Sequence, residues 1–290
     1  MGEPSSAKHK NQSGGNTPIS RVDAVNWEST PPVVYPVSVR SFTANPFGYR
    51  PGTGRNDPHN SMEFCMKALI FDLDGVIVDT ESCDWMTWRD VFREHGAELP
   101  YEKWTDWLGV PYANCDCCAT LERYLGHSVD HEAVAKDAKQ RYRKLAFEQP
   151  VMPGVVEYLD KAKALGLKTA VASSSTRDWL EGHLSRLGLL ERFDVTRCFS
   201  EVERGKPAPD VYLAALDALG VSHREALALE DSPNGVRAAK AAGLFCVAAP
   251  NLATKTLDFG EADLCIDGLA ETPLEALLEH AREHHRAATA

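Results

Sequence analysis

From residue 67 onward, short apolar runs alternate with stretches of helical spacing. Residues 67–71 form an apolar run of the length a buried parallel strand shows. Trp85, Trp88, Val91, Phe92 and His95 then recur three and four residues apart, which is one face of a helix. Pro100 opens a second helical stretch with Trp104, Trp107 and Leu108. A third is predicted over residues 114–125 and a fourth over 130–147. The aromatic stripe reads as the core of a helical insert without strands. At Pro153-Gly154 the pattern changes. A helix through Val156, Leu159 and Ala162 ends at Gly166, and a strand follows over 168–172. The next helix holds Trp179, Leu180, His183 and Leu187 and stops at Gly188. Further strands are expected near 195–199, 226–229, 245–249 and 264–266, with helices over 211–219, up to Gly243, and over 274–284. Repeated β-α units of this length predict an α/β fold with a doubly wound, mostly parallel sheet.

These periods divide the chain. Residues 1–65 carry Ser, Asn, Gly and Pro with no sustained hydrophobic period and read as a disordered N-terminal extension. Residues 66–79 plus 151–290 form the expected α/β core, and 80–150 the helical insert. Composition adds limits. With 290 residues, 43% hydrophobic and 25% charged, the chain is of ordinary globular type. A net charge of -11 argues against nucleic acid as a partner. No apolar stretch is long enough for a bilayer span, and no signal-peptide core follows the start, so a cytoplasmic, membrane-free monomer is expected. Eight cysteines are too sparse for a disulfide scaffold and fit a reducing compartment. Cys115, Cys117 and Cys118, with His127 and His131 nearby, lack paired CxxC spacing. Ordinary helix thiols are the main reading there and a zinc site the lesser one.

The candidate chemistry sits at strand ends. The first strand runs into Asp72 and Asp74 and then Gly75, which lets the chain turn. Acids two positions apart on an extended backbone point to the same side. Alone, the pair is also compatible with a polar turn. Ser173 and Ser174 follow the second strand, Lys206 lies after the third, and Glu230 and Asp231 end the fourth. The carboxyl ends of parallel strands form the crevice where such sheets bind ligands. Together these groups suit phosphoryl transfer. A phosphate monoester carries about -1.5 to -2 charge at neutral pH. A carboxylate approaching it meets repulsion of about 4 kcal/mol per unit charge pair at about 4 Å and an effective dielectric of about 20. Lys206 supplies one positive charge. Asp72, Glu230 and Asp231 are hard oxygen ligands of the kind Mg²⁺ takes. Ser173, the Ser174 amide and the following helix N-terminus can donate to phosphate oxygens. Pro207 restricts Lys206 to an extended backbone, and Ser232-Pro233 reads as a helix cap followed by an N1 proline. Asp72 is then the candidate nucleophile and Asp74 the acid and base, a role that requires a raised pKa for Asp74.

The chain resembles the haloacid dehalogenase superfamily of phosphotransferases. Asp72-Leu73-Asp74-Gly75-Val76 is similar to its first motif and Val171-Ala172-Ser173-Ser174-Ser175 to its second. Lys206-Pro207-Ala208-Pro209-Asp210 resembles its lysine motif, and Leu229-Glu230-Asp231-Ser232 its acidic motif. The resemblance implies a Rossmann-like core with an α-helical cap after the first motif, as in the subgroup of β-phosphoglucomutase and small-metabolite phosphatases. It also implies an aspartyl-phosphate on Asp72, Mg²⁺ held by Asp72, Glu230, Asp231 and the Asp74 backbone carbonyl, and a small phosphorylated metabolite, a sugar phosphate above all, as substrate. Asp74 fits phosphatases and mutases and speaks against dehalogenation. In the cap, Asp84 stands where a mutase has histidine, and Tyr112 where it has a phosphate-binding arginine. Asp84, Trp88 and Tyr112 are therefore the expected specificity residues. Loss of the cationic cap group favours a phosphatase over a phosphomutase, and a catalytically idle phosphometabolite-binding scaffold is the non-enzymatic alternative.

Overall fold

The computed structural model describes residues 66–108 and 115–289. The expected extension over 1–65 lies outside the described residues, as does Tyr112. Six strands form one sheet in the order β3-β2-β1-β4-β5-β6. They are β1 (Ala68–Phe71), β2 (Lys168–Ser173), β3 (Val195–Cys198), β4 (Ala226–Glu230), β5 (Phe245–Ala248) and β6 (Leu264–Cys265). Every neighbouring pair is parallel, so all carboxyl ends reach the same edge. β1 is central, with Phe71 opposite Val171 of β2 and Leu229 of β4. The chain winds outward through β2 and β3, then crosses to β4 on the other side of β1. That reversal puts the crevice at the ends of β1, β2 and β4.

Alternation along β1 feeds two cores. Leu69 and Phe71 join one cluster with Tyr158, Leu180 and Leu277. Ala68 and Ile70 join the other with Tyr212, Leu216 and Val236. The first face is covered by α5 (Val155–Ala164), α6 (Arg177–Arg186) and α9 (Leu274–Thr289). The second is covered by α7 (Asp210–Leu219) and α8 (Pro233–Ala241). Strands buried on both faces must be apolar throughout, which is why β1 and β4 read as continuous apolar runs. The helices on the two faces make three layers, and the fold is the expected doubly wound α/β sheet, here parallel throughout.

Four helices precede α5. They are α1 (Glu81–Glu94), α2 (Tyr101–Thr105), α3 (Cys117–Leu125) and α4 (His131–Glu148). The Asp79 side chain accepts from the Ser82 N–H at 3.0 Å in the first turn of α1, and Asp130 accepts from the Ala133 N–H at 3.1 Å at the start of α4. Trp88 and Phe92 pack on Trp107, with ring centroids 6.0 and 6.3 Å away, and Trp85 packs on Trp104 at 5.5 Å. The aromatic stripe is the core of this insert. Trp88 is 1% exposed and packs on Trp107 within the insert. No described helix is long and apolar enough to cross a membrane.

The cysteine cluster differs from the expectation of free helix thiols. Cys115 and Cys117 form a disulfide with Cα atoms 5.5 Å apart, within the usual range for such a bridge. α3 begins only at Cys117, so Cys115 lies ahead of the helix and is bridged back to its first residue. The bridge also removes two of the thiols a zinc site would need. Cys83, Cys198 and Cys246 are buried thiols, and Cys118 and Cys265 are also free.

Phe71 is fully buried and meets Phe193 edge-on at 5.7 Å. Phe71→Ala is expected to destabilise the protein by about 3–5 kcal/mol through lost burial and the cavity left behind. Urea unfolding should show a lower midpoint with an unaltered slope.

Candidate active site

The register brings the ends of β1 and β4 side by side. The Asp72 N–H donates to the Leu229 carbonyl at 3.0 Å, so Asp72 lies beside Glu230. Between them sits the Lys206 ammonium, which donates to Asp72 Oδ1 and to Glu230 Oε1 at 2.6 Å each. Lys206 and Asp72 side chains are 6% and 8% exposed and Glu230 is fully buried. Burial alone would discharge Lys206, but the Asp72 and Glu230 carboxylates outweigh it and hold its pKa above the ordinary lysine range. The Lys206–Pro207 peptide is cis.

Glu230 is locked in place. The Tyr212 hydroxyl donates to its Oε1 at 2.6 Å, and the Ser232 hydroxyl donates to Oε2 at 3.3 Å. Ser232 also caps α8, accepting from the Gly235 N–H at 3.1 Å, with Pro233 at the first helical position as its sequence predicted. A Cβ at Gly235 would overlap the Glu230 carboxylate, so the helix approaches only because that position is glycine. Asp231 accepts from the Asn251 side-chain N–H at 2.9 Å and the Thr254 hydroxyl at 3.5 Å. Asn251 also donates to the Gly75 carbonyl at 3.3 Å. Gly75 has φ +85°, and a Cβ there would run into the Asp231 carboxylate.

Asp72, Glu230 and Asp231 each offer a carboxylate oxygen, all within 4.8 Å of one another. Three buried acids face one ammonium, a formal excess of two negative charges. Burial, only partly opposed by Lys206, raises the Asp72 pKa to about 8, with Glu230 and Asp74 adding to the rise. Burial, followed by Glu81, Asp72 and Glu230, raises Asp231 well above the usual carboxylate range. Glu81, at the start of α1, is raised by desolvation and by Asp74. An all-oxygen set with this surplus of charge fits a hard divalent cation.

Asp74 goes elsewhere. Its Oδ2 accepts from the Ser175 hydroxyl at 2.6 Å and the Ser173 hydroxyl at 3.3 Å, and its Oδ1 from the Trp179 indole N–H at 2.9 Å. The expectation that both acids share one side therefore fails. The chain bends at Leu73, directly after the strand, so strand alternation no longer governs where Asp74 points. Ser173 is fully buried, with its hydroxyl also accepting from the Ser175 N–H at 3.0 Å, while the Ser174 side chain is exposed. The serine of this run that reaches Asp74 most closely is Ser175, one position beyond the expected pair. Asp84 accepts from the Trp104 indole N–H at 2.8 Å, and burial pushes its pKa up to about 6.

The structure thus brings Asp72, Lys206, Glu230 and Asp231 into one cluster, with Asp74 and Ser173 beside it. It adds Ser175, Trp179, Tyr212, Asn251 and Thr254. Asn251 follows the end of β5 and could have been found by the same strand-end rule as the others. Trp179 and Tyr212 carried no such signal, since each reads as an apolar position of its helix.

Residues 66–243 match the family model described as a haloacid dehalogenase-like hydrolase. The protein YhcW of Bacillus subtilis (strain 168) is 42% identical over 215 residues, which span 74% of this chain and 97% of that protein. The validoxylamine A 7'-phosphate phosphatase of Streptomyces hygroscopicus subsp. limoneus is 35% identical over 214 residues, 71% of this chain and 95% of that one. Among solved structures, CbbY from Rhodobacter sphaeroides in complex with xylulose-(1,5)bisphosphate is similar with a TM-score of 0.58 and 29% identity, covering 71% of this chain and 96% of that one. With the family model spanning more than half of its length and the four motif segments converging on one strand-end crevice, this chain belongs to the haloacid dehalogenase-like hydrolase family.

Proposed function

We propose that this hydrolase is a phosphatase that cleaves the phosphate monoester of a small phosphorylated metabolite, of the sugar-phosphate class, through an aspartyl-phosphate on Asp72. The observation that carries the reading is the Lys206 ammonium bonded to Asp72 and Glu230 at 2.6 Å each, in a buried carboxylate cluster at the carboxyl end of β1. The substrate class is supported by the relatives whose names carry a validoxylamine phosphate and a xylulose bisphosphate. In this reading residues 66–79 and 151–290 form the catalytic core and 80–150 the cap.

The Asp72 carboxylate oxygen attacks phosphorus, forming an acyl phosphate on Asp72 as the phosphorus bond to the leaving oxygen breaks. Asp74 gives its proton to that oxygen. It then takes a proton from the water that attacks the phosphoryl group and returns Asp72 to a free carboxylate. Lys206 opposes the negative charge gathered between nucleophile and phosphate. Ser173 and the backbone N–H groups ahead of α6 orient phosphate oxygens. Asp72, Glu230, Asp231 and the Asp74 backbone carbonyl are the groups that would hold Mg²⁺, which supplies further positive charge to the phosphate when bound. Ser173 and Ser175 hydroxyls can donate or accept, so they can follow a change of proton on Asp74.

Purified protein is expected to release phosphate from p-nitrophenyl phosphate with Mg²⁺ and to stop when a chelator is added. Asp72→Asn should lower kcat by about 10³-fold or more, as removal of a nucleophile does. Normal turnover by Asp72→Asn would sink the assignment. A sugar 1-phosphate should yield free phosphate, whereas a mutase would return the 6-phosphate isomer.

The raised Asp72 pKa also sets a stability trend. Its folded value of about 8 lies above the ordinary 3.8, so the folded state binds the proton more tightly than the unfolded chain. Without metal, stability should fall as pH rises from about 4 toward about 8. Thermal melts should show this slope, a smaller slope in Asp72→Asn, and a Mg²⁺-induced rise in Tm that is larger at pH 8 than at pH 6.

A further inference from the structure

Asp74 is gripped from the side of α6, away from the ammonium that holds Asp72. Ser173 and Ser175 reach one of its oxygens and the Trp179 indole reaches the other at 2.9 Å. Serine hydroxyls rotate and both donate and accept. An indole N–H only donates, along one fixed direction in the ring plane. Trp179 therefore sets the plane of the Asp74 carboxyl group more firmly than the serines can.

The indole is itself wedged. It is 7% exposed. Tyr142 stacks on it at 5.4 Å and 18°, Phe147 meets it edge-on at 5.5 Å, and the His183 ring lies 4.4 Å away. Tyr142 and Phe147 both belong to α4, the last helix of the insert. One side chain of the core thus touches the proposed proton donor through its N–H and the insert through its ring faces.

We propose that Trp179 is a positioning residue for the acid–base step. Its N–H holds Asp74 in line with the leaving oxygen, and the Tyr142 and Phe147 rings of the insert hold the indole. The inference rests on Asp74 acting as the proton donor of the hydrolysis proposed above. During the step the proton passes from Asp74 to the leaving oxygen as the phosphorus–oxygen bond breaks, and Trp179 neither gains nor loses one.

Leaving-group chemistry tests this directly. An alkoxide must be protonated as it departs, whereas p-nitrophenolate leaves without help. The constant kcat/KM covers the steps up to leaving-group departure, so it excludes the later attack of water. Trp179→Phe keeps an aromatic ring at the position and removes the N–H donor together with the second ring of the indole. Its ratio of kcat/KM for glycerol phosphate to that for p-nitrophenyl phosphate, measured with Mg²⁺, should fall about tenfold, part of the about 10²–10⁴-fold that general acids contribute. Tyr142→Leu, which keeps the N–H but loosens the indole, should move the ratio the same way by less. If the Trp179→Phe ratio stays within about twofold of wild type, whether both esters slow equally or neither does, the inference is overturned, because a purely structural loss is blind to the leaving group. Should Trp179→Phe fail to fold, replacing the indole at position 179 by benzothiophene keeps the ring and removes the N–H, and the same ratio decides. Failure of the wild-type protein to hydrolyse either ester would instead refute the phosphatase reading and take the inference with it.

Discussion

A buried ammonium governs the layout of the cleft. Taking a lysine charge out of water costs several kcal/mol unless partners repay it, and Lys206 finds two carboxylates at 2.6 Å. Those carboxylates are themselves buried and would be unstable without it. The mutual need fixes Asp72 against Glu230 and explains the care taken around Glu230: the Tyr212 hydroxyl, the Ser232 cap and a glycine at 235 that leaves room for the carboxylate. Asp231, joined to the loop after β5 through Asn251, brings the acids to three against one base. The remaining imbalance is the reason a hard divalent cation suits this place, and burial first, with the neighbouring acids adding to it, raises the Asp72 and Asp231 pKa values.

The sheet makes that cluster possible. Parallel strands send their carboxyl ends to one edge, and the crossover from β3 to β4 places Asp72 and Glu230 on adjacent strands. Residues 134 positions apart in the chain, Asp72 and Lys206, meet because the strand ends and the loops after them share that edge. The bend at Leu73 then separates two acids that a straight strand would have kept together. Asp72 faces an ammonium and Asp74 faces hydroxyls and an indole. Two carboxyl groups can take different chemical parts only when their surroundings differ in this way.

The insert is more than a cover. Its aromatic side chains pack among themselves, and α4 also lays Tyr142 and Phe147 on Trp179 of the core. The α2 residue Tyr101 donates to the Ala253 carbonyl in the loop that holds Asp231. Both contacts tie the insert to groups that hold Asp74 and Asp231.

The fold and the acidic cluster were legible in the chain because both rest on local regularities. A doubly buried strand must be apolar at every position, a helix repeats every three or four residues, and ligands gather where parallel strands end. Those rules place β1 to β6, the insert, and Asp72, Lys206, Glu230 and Asp231. Contacts that depend on where a side chain points after a bend, or on which distant element packs against it, were not legible. Ser175 joins Ser173 on Asp74 because of the turn after β2, and Trp88 packs on Trp107 inside the insert. Cys115, just outside α3, bonds Cys117 at the helix start, a pairing that the spacing alone does not signal. Trp179 reads as one more apolar position of a helix until tertiary packing aims its N–H at Asp74. Periodicity encodes burial, which is a property of neighbours in sequence, whereas a hydrogen bond needs two groups to arrive at one point from different parts of the chain.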